Sequence, residues 1–393
     1  MQNTLSSPLP QAPAKLDSKV RLNYLHGVRG IAALYVVFFH IYLDYQSMLS
    51  AQGVQELPLW IRSLLGLLSE GHAAVVVFIL LSGYCLMLPV IKSVDKELRG
   101  GFWGYIKRRA QRIIPPYYAA ILLSLLVTAS IPVMMLPATG WHWNSAQPSF
   151  TPDVVLSHIF LVHNLRAEWM FKIDPPLWSV GLEWQIYLLF PTVLLPIWRR
   201  FGVIPLLVTA FGLSVVLHDF LPFSGLITLF AMGMSGAIVG FSQDQALVQL
   251  RKNMPWNKLS ILFFVGFLGV SVFLHGAAIL KDFLIGISTL CLIINCTQSL
   301  TEKSSTSSPL FLRLLESKPV FTLGLFSYSL YLIHAPVLAL CQLGINSLAL
   351  SLMAKGLLLF AIGPLLVVCV AYVFHVLFER RFMSEYAYKN NKL

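Results

Sequence analysis

Long apolar segments alternate with short polar connections along this chain. Ten segments stay apolar for about 18 residues or more, the length that a helix needs to cross the hydrocarbon core of a bilayer. The ten predicted helices cover residues 27–46, 72–90, 115–136, 178–197, 201–218, 222–241, 258–279, 282–299, 320–343 and 357–378. This pattern predicts an all-α integral membrane protein, a bundle of about ten transmembrane helices.

Composition supports this fold class, and the distribution of charge orients the chain. Hydrophobic residues make up 57% of the 393 positions and charged residues only 11%, whereas soluble domains average about 25% charged residues. Lys and Arg concentrate on the cytoplasmic side of membranes. With the N-terminus inside, five of the 28 Lys and Arg residues lie in outer connections: Arg62, Arg166, Lys172, Lys281 and Lys355. We therefore predict cytoplasmic N- and C-termini and a multi-pass protein of the plasma (inner) membrane, in contact with lipid.

The polar regions divide the chain into three parts. Residues 1–21 are polar and lack the apolar core of a signal peptide, so we predict a disordered cytoplasmic tail. Residues 22–383 form the membrane domain, and residues 384–393 form a cytoplasmic C-terminal tail. The basic residues lie in short loops rather than in a basic domain, so no nucleic-acid partner is expected.

Two connections are long enough to have structure of their own. Residues 101–114 are amphipathic, and we predict that they lie along the inner membrane surface before the third span begins at Pro115. In the outer connection 137–177, the apolar stretch 154–165 is too short to cross the membrane. It is predicted to form a re-entrant or interfacial cap.

The first apolar segment contains an arginine and a histidine. Arg29 and His40 are eleven residues apart, which is three turns plus roughly 20°, so their side chains share one helical face. The rise between them is about 16 Å, which places Arg29 near one surface and His40 near or past the midplane. Because lipid cannot solvate such a face, it is predicted to point into the bundle or a wet cavity.

Two interpretations of His40 are open. It can act as a general base, because imidazole exchanges protons near pH 7, or it can be a hydrogen-bonded packing residue. Arg29 on the same face favours the catalytic interpretation. Asp44, one turn beyond His40, either orients the ring or is a solvated residue at the outer end of the helix, and we favour the solvated position.

A basic cluster precedes the third span. Its members are Lys107, Arg108, Arg109 and Arg112, and the last two share a helical face because they are three residues apart. Arginine forks suit phosphate oxygens, so the pair can bind a cytosolic phosphorylated donor. Anchoring to anionic lipid is the equally weighted alternative.

The fourth and ninth spans also contain polar residues. Glu183 lies inside the fourth span at a depth close to that of His40, so the two are predicted to meet; its alternative is a structural partner for a buried arginine. Tyr328, Tyr331 and His334 follow one another at steps of three and form a polar stripe. This stripe either contacts a hydroxyl-rich ligand or closes a hydrogen-bond network.

Several other chemistries lack their motifs in this sequence. The five cysteines lie in apolar segments with no CxxC pair, and we interpret them as small buried hydrophobes. HExxH and a close set of His, Asp and Glu are missing, so no metal site is expected. GxSxG is missing too, which argues against a serine hydrolase elbow.

Taken in order, these motifs resemble those of acyltransferase family 3, multi-span membrane proteins that O-acylate carbohydrates and other extracytoplasmic acceptors. The resemblance covers about residues 20–383. It is carried by Arg29 with His40, by Arg109 and Arg112 followed by IIPPYY, by Trp178-Ser179 with Glu183, by Ser327-Tyr328-Ser329 with Tyr331 and His334, and by Phe378-Glu379-Arg380.

The resemblance implies an O-acyltransferase that takes an acyl group from cytosolic acyl-CoA, with acetyl-CoA the expected donor. The acceptor would be a hydroxyl of an extracytoplasmic carbohydrate or lipid-linked glycan. His40 and Glu183 would be catalytic, and Arg29, Arg109 and Arg112 would bind the donor. The acceptor would contact Trp178, Ser179, Tyr328, Tyr331 and His334.

A transporter or flippase is the alternative function. In that interpretation His40, Glu183 and His334 would form a proton relay for a sugar-containing substrate. Transporters often have inverted repeats and broken helices near the midplane, neither of which is clear in this sequence. A proton relay also does not need the basic cluster before the third span.

Overall fold

A computed structural model describes residues 21–53, 65–136, 143, 149–274, 276–301 and 309–383. Within these ranges all regular structure is helical. Apart from Arg21, the two predicted tails lie outside the described residues.

Fifteen helices are described, several of them short. They are α1 Tyr24–Ala51, α2 Gly71–Lys92, α3 Gly101–Ser130, α4 Pro152–Ile159, α5 Ala167–Met170, α6 Pro175–Phe201, α7 Val203–Val216, α8 Gly225–Phe241, α9 Gln245–Asn253, α10 Trp256–Phe273, α11 Ala278–Thr301, α12 Leu310–Leu315, α13 Lys318–Leu325, α14 Ser327–Asn346 and α15 Leu352–Phe382.

The described helices include eight that are long and apolar enough to cross a membrane: α1, α2, α3, α6, α10, α11, α14 and α15. A ninth is reached if α8 and α9, which are bent by 96° relative to each other, count as one broken span. Helix α7 is apolar but shorter. Every predicted segment overlaps a helix, so the prediction of an all-helical, multi-pass membrane protein is confirmed.

The predicted start of the third span is wrong. Helix α3 begins at Gly101 and continues through Pro115 and Pro116 to Ser130, so residues 101–114 are not a separate surface helix. Proline is tolerated within membrane helices. Beside these two prolines α14 contacts α3, where the Tyr328 hydroxyl donates to the Ile113 carbonyl at 3.0 Å. The unbroken helix places the basic cluster in line with the span.

The predicted ninth span is two helices rather than one. Helix α13 ends at Leu325 and α14 begins at Ser327, with Phe326 out of helical geometry between them. Helix α13 crosses α1 so closely that a Cβ added at Gly324 would lie 1.9 Å from the His26 carbonyl oxygen. This crossing fixes α13 against α1 and leaves α14 as the span that carries Tyr328, Tyr331 and His334.

Helix α8 is the most buried helix of the bundle. Every residue from 226 to 241 is buried, and its backbone lies against that of α2. A Cβ added at Gly233 would lie 1.9 Å from the Leu80 carbonyl oxygen, and one added at Gly83 would lie 2.0 Å from the Phe230 carbonyl oxygen. Small residues permit such close approach of membrane helices, so these two glycines define the crossing of α2 and α8.

The re-entrant or interfacial cap predicted for residues 154–165 stays a prediction. In the structure these residues form α4 and the turn His163–Leu165, within the connection between α3 and α6. This segment is fastened to α6: the side-chain amides of Asn164 and Gln185 bond reciprocally at 3.1 and 2.8 Å, and His163 Nε2 bonds the Leu177 carbonyl at 3.0 Å. Burial lowers the pKa of His158 to about 4 and that of His163 to about 3. These histidines are therefore neutral, and they hold the outer end of α6 in place.

We predict that Gly233→Ala destabilises the bundle, because the added methyl group would separate α2 from α8. Overpacking of this kind costs about 1–3 kcal/mol. The check is the midpoint of thermal unfolding of the purified protein in detergent.

The matched control is Gly212→Ala, also inside an apolar helix, where an added Cβ meets nothing within 4 Å. That substitution should be neutral or stabilising, by about 0.5–1 kcal/mol. Equal midpoints for the two variants would contradict the proposed crossing.

Candidate functional site

An inner cavity of about 150 Å³ is enclosed by α1, α2, α3, α6 and α14. Seven of the ten predicted site residues line it. They are Arg29, Arg109, Arg112, Ser179, Glu183, Tyr328 and Tyr331. The cavity is smaller than the about 300–1,000 Å³ that encloses a drug-sized ligand, so it suits one end of a long molecule.

The inner cavity is electropositive. Three guanidinium groups, those of Arg29, Arg109 and Arg112, line it together with one carboxylate, Glu183. Glu183 Oε1 accepts hydrogen bonds from Ser82 Oγ at 2.7 Å and from the Tyr187 hydroxyl at 2.5 Å. A low-dielectric cleft lined by one sign of charge attracts the opposite sign, so this cavity favours an anionic ligand.

The continuous helix α3 divides the basic cluster into two parts. Arg109 and Arg112 line the inner cavity, whereas Lys107 and Arg108 are exposed. Arg108 instead donates to the Arg99 carbonyl at 2.7 Å. Arg109 and Arg112 are thus positioned for a ligand inside the bundle, rather than for lipid headgroups at its surface.

A buried carboxylate at the end of α15 supports Arg112. Glu379 is 1% exposed, and its Oε2 accepts from Ser329 Oγ at 2.6 Å and from His375 Nδ1 at 2.8 Å. The other oxygen, Oε1, lies 3.8 Å from Arg112 Nη2. Glu379 therefore offsets part of the positive charge of the inner cavity. It does not line that cavity itself, and it restrains Arg112 from outside it.

An outer cavity of about 1270 Å³ lies beyond the inner one along α1. His40 and Trp178 line it, together with residues from the N-terminal ends of α2 and α11 and from the connection between α7 and α8. Its volume exceeds that of a typical single-ligand pocket. There is therefore room for a sugar ring together with its neighbours or carrier.

His40 is hydrogen-bonded to a second histidine. His40 Nδ1 lies 3.0 Å from the Val36 carbonyl oxygen and 3.2 Å from His334 Nε2. His334 is fully buried, and its Nδ1 lies 2.7 Å from the Tyr331 carbonyl oxygen. A neutral His334 that donates from Nδ1 accepts at Nε2. This arrangement puts the His40 proton on Nδ1 and a lone pair on Nε2, the form of a general base.

The two cavities meet at Val75 and Tyr331, which line both of them. The Tyr331 hydroxyl bonds the Pro176 carbonyl at 2.9 Å and Ser179 Oγ at 2.6 Å. These bonds hold the phenol ring across the boundary between α6 and α14. Tyr331 and Val75 therefore lie between the two cavities.

The favoured solvated position of Asp44 is wrong. Asp44 is 4% exposed, because α14 and α15 cover the outer half of α1. Its backbone carbonyl accepts from Gln342 Nε2 at 3.2 Å, and with His40 it lines a third cavity of about 10 Å³. Asp44 belongs to the interior near His40.

The structure places Glu183 and His40 in different cavities. Glu183 contacts Ser82 and Tyr187 in the inner cavity, while His40 lies beside His334 in the outer one. A direct orienting role of Glu183 toward His40 stays a prediction. The predicted acceptor contact of His334 also stays a prediction, although the structure puts that ring behind His40.

Sequence reasoning gave no role to Ser82, Glu379 or His375 in the site. Ser82 is a single hydroxyl in a strongly apolar segment, and His375 is an isolated histidine near the end of the last predicted span. The one available signal was the pairing of a histidine and a glutamate four residues apart, which places them on one helical face. Among the described residues no group of three or more His, Cys, Asp or Glu is arranged to hold a metal ion.

A family model and several known proteins match this chain. The family model described as an acyltransferase domain matches residues 22–376. The O-acetyltransferase OatA of Staphylococcus aureus is 25% identical over 349 residues, which is 82% of this chain and 52% of OatA. The acyltransferase MdmB of Streptomyces mycarofaciens is 31% identical over 172 residues, covering 44% of this chain and 39% of MdmB.

The chain spans about half the length of the OatA proteins that it matches. No solved structure matches it. The family model nevertheless covers both cavities, from Arg29 on α1 to His334 on α14. The chain belongs to the acyltransferase 3 family of membrane acyltransferase domains.

Proposed function

We propose that this protein is a membrane O-acyltransferase that moves an acetyl group from cytosolic acetyl-CoA to a hydroxyl of an extracytoplasmic carbohydrate or glycolipid. The observation that carries the proposal is the pair of cavities that meet at Tyr331, one electropositive and the other containing His40. In this proposal ten helices cross the plasma membrane with both termini in the cytoplasm, and the inner cavity faces the cytosol.

The donor enters from the arginine-lined end. Arg109 and Arg112 bind phosphate oxygens of coenzyme A, for which arginine forks are suited. The nucleotide stays outside, because the inner cavity has room only for one end of the donor. The flexible pantetheine arm carries the thioester past Arg29 and Glu183 to Tyr331.

The acceptor enters the outer cavity and meets His40. The lone pair on His40 Nε2 takes the hydroxyl proton while the acceptor oxygen attacks the thioester carbonyl carbon. A carbon–oxygen bond forms, the carbon–sulfur bond breaks, and the coenzyme A thiolate leaves with the proton returned by the imidazolium. The hydrogen bond to His334 keeps the His40 ring and its tautomer in place throughout.

Other residues position the reactants. The Tyr331 hydroxyl donates to the Pro176 carbonyl, and Ser179 Oγ lies 2.6 Å from the same hydroxyl, so this pair fixes the wall of the boundary against which the thioester lies. Glu183 is held by hydrogen bonds from Ser82 and Tyr187. Its negative charge offsets part of the positive charge of Arg29 and the neighbouring arginines, which lowers the cost of these charges in a dry interior. Membership of an acyltransferase family argues against the alternative of a transporter or flippase.

His40→Ala is expected to abolish acetyl transfer, because the variant lacks the imidazole that takes the proton of the acceptor hydroxyl. Removal of a general base typically costs about 10²–10⁴ in rate. The measurement is transfer of labelled acetyl from acetyl-CoA to envelope glycans in membranes that contain equal amounts of either protein. Near wild-type transfer by the variant would rule out the base role.

Arg109→Ala and Arg112→Ala are expected to raise the KM for acetyl-CoA with little effect on the KM for the acceptor. Each removes a charge-assisted contact to the donor, worth about 1.5–3 kcal/mol, or roughly a tenfold to hundredfold change. Steady-state kinetics on purified protein give both constants.

The matched control for the arginine variants is Arg108→Ala, which removes an exposed arginine of the same helix. Its donor KM should stay close to that of the unsubstituted protein. A donor KM that moves equally in all three variants would indicate a general surface-charge effect instead of a site.

The variant His334→Ala distinguishes between two roles of His334, positioning of His40 and contact with the acceptor. If His334 positions His40, the variant loses kcat while the acceptor KM changes little, and the pH profile of kcat shifts because the His40 tautomer is no longer fixed. If His334 contacts the acceptor, the acceptor KM rises instead. We expect the loss in kcat.

A further inference from the structure

One ion pair and one contact between a histidine and a carboxylate join the N-terminal ends of α2 and α11 at the rim of the outer cavity. Lys281 Nζ lies 2.5 Å from Glu70 Oε1, and His72 Nε2 lies 3.2 Å from Asp282 Oδ2. All four side chains line the cavity and are partly accessible to it. The reaction proposed above uses none of them, so they are available for recognition of the acceptor.

The charges around the outer cavity are unbalanced. Glu70, Asp219 and Asp282 are the carboxylates that line it, and Lys281 is the one lysine or arginine among the described lining residues. Carboxylates therefore outnumber lysine and arginine by three to one among the described lining residues. The inner cavity, with three guanidinium groups and one carboxylate, has the opposite sign.

Aromatic rings form a wall next to these charges. The Trp178 and Phe223 ring centroids are 4.2 Å apart, and the His72 ring lies nearly parallel to Trp178 at 6.0 Å with an angle of 10°. Phe223 also contacts His72, at 5.3 Å. Flat aromatic faces of this kind suit packing against the apolar face of a ring. His72, which belongs to this wall, contacts Asp282.

We propose that the outer cavity binds a hydroxylated ring that carries no negative charge, either neutral or amine-bearing, and that Glu70, Asp219 and Asp282 exclude anionic acceptors. The ring packs on the wall of Trp178 and Phe223. This inference rests on the proposed function, since it names the acceptor class for the same site. It follows from the excess of carboxylates in the lining. A carboxylate ligand in such a partly desolvated cavity is repelled, and Lys281, the one lysine or arginine among the described lining residues, is already paired with Glu70.

The test uses three ligands that differ only at carbon 6 of the sugar. These are p-nitrophenyl glucoside, its 6-amino-6-deoxy analogue, which is cationic, and p-nitrophenyl glucuronide, which is anionic. Binding to the purified full-length protein is measured by saturation-transfer NMR with competition at pH 8, where histidines are neutral, and at low ionic strength. The glucoside and its amino analogue should each bind at least about tenfold more tightly than the glucuronide.

Two variants test which residues cause the discrimination. Two single variants are compared, Asp282→Asn and Asp219→Asn. Each should lower the ratio of glucoside affinity to glucuronide affinity by about threefold or more, because each removes one negative charge from the lining. Asp219 is exposed, so its substitution does not threaten the fold. The matched control is Glu168→Gln, which removes an exposed carboxylate of the outer connection that does not line the cavity, and the ratio should not change.

The outcomes distinguish this inference from the proposed function. Preferred binding of the uncharged ring without any acetyl transfer from labelled acetyl-CoA would refute the function and leave the inference standing. Transfer combined with equal or tighter binding of the glucuronide would refute the inference and leave the function standing. Failure of all three ligands to bind at millimolar concentration would also refute the inference.

Discussion

Charged side chains inside the bilayer must face the interior of the bundle, and this requirement organises the whole molecule. Arg29, Arg109 and Arg112 come from two helices that are far apart in sequence, yet one cavity collects them. Glu183 shares that cavity, and Glu379 lies directly behind Arg112. A lone charge buried inside a membrane helix is costly. Each of these charged side chains is therefore stable only where neighbouring helices enclose it together with the side chains of opposite charge. The close crossings of α2 with α8 and of α1 with α13 provide that enclosure.

Tyr331, together with Val75, lies between two different chemical environments. On one side of Tyr331 lies an electropositive cavity of about 150 Å³, and on the other a cavity of about 1270 Å³ that contains His40. The hydrogen bonds of Tyr331 to Pro176 and Ser179 tie the boundary to the start of α6, to which the turn His163–Leu165 is fastened as well. This arrangement suits a reaction whose two substrates arrive from opposite sides of a membrane and meet in a dry centre. The proposed transfer from cytosolic acetyl-CoA to an extracytoplasmic hydroxyl has such a need.

Much of the site was predictable because helical periodicity fixes which residues share a face. Arg29 and His40, eleven residues apart, do line the interior at two depths, and Arg109 and Arg112 do point the same way. Periodicity does not show which other helix packs against a given helical face. Prolines in the middle of α3 look like a helix start when no partner is visible, and Asp44 looks solvated until α14 and α15 cover it. The pairing of His40 with His334 likewise depends on the crossing of α1 with α14, which no local pattern encodes.

Sidedness tests the central claim most directly. Proteoliposomes with the protein inserted in one orientation are loaded so that labelled acetyl-CoA is present only on the side of Arg109 and the acceptor glycan only on the opposite side. The account predicts that labelled acceptor accumulates on the acceptor side, while acetyl-CoA added to the His72 side supports no transfer. Transfer that occurs only when donor and acceptor share one side would contradict a path through the bundle past Tyr331.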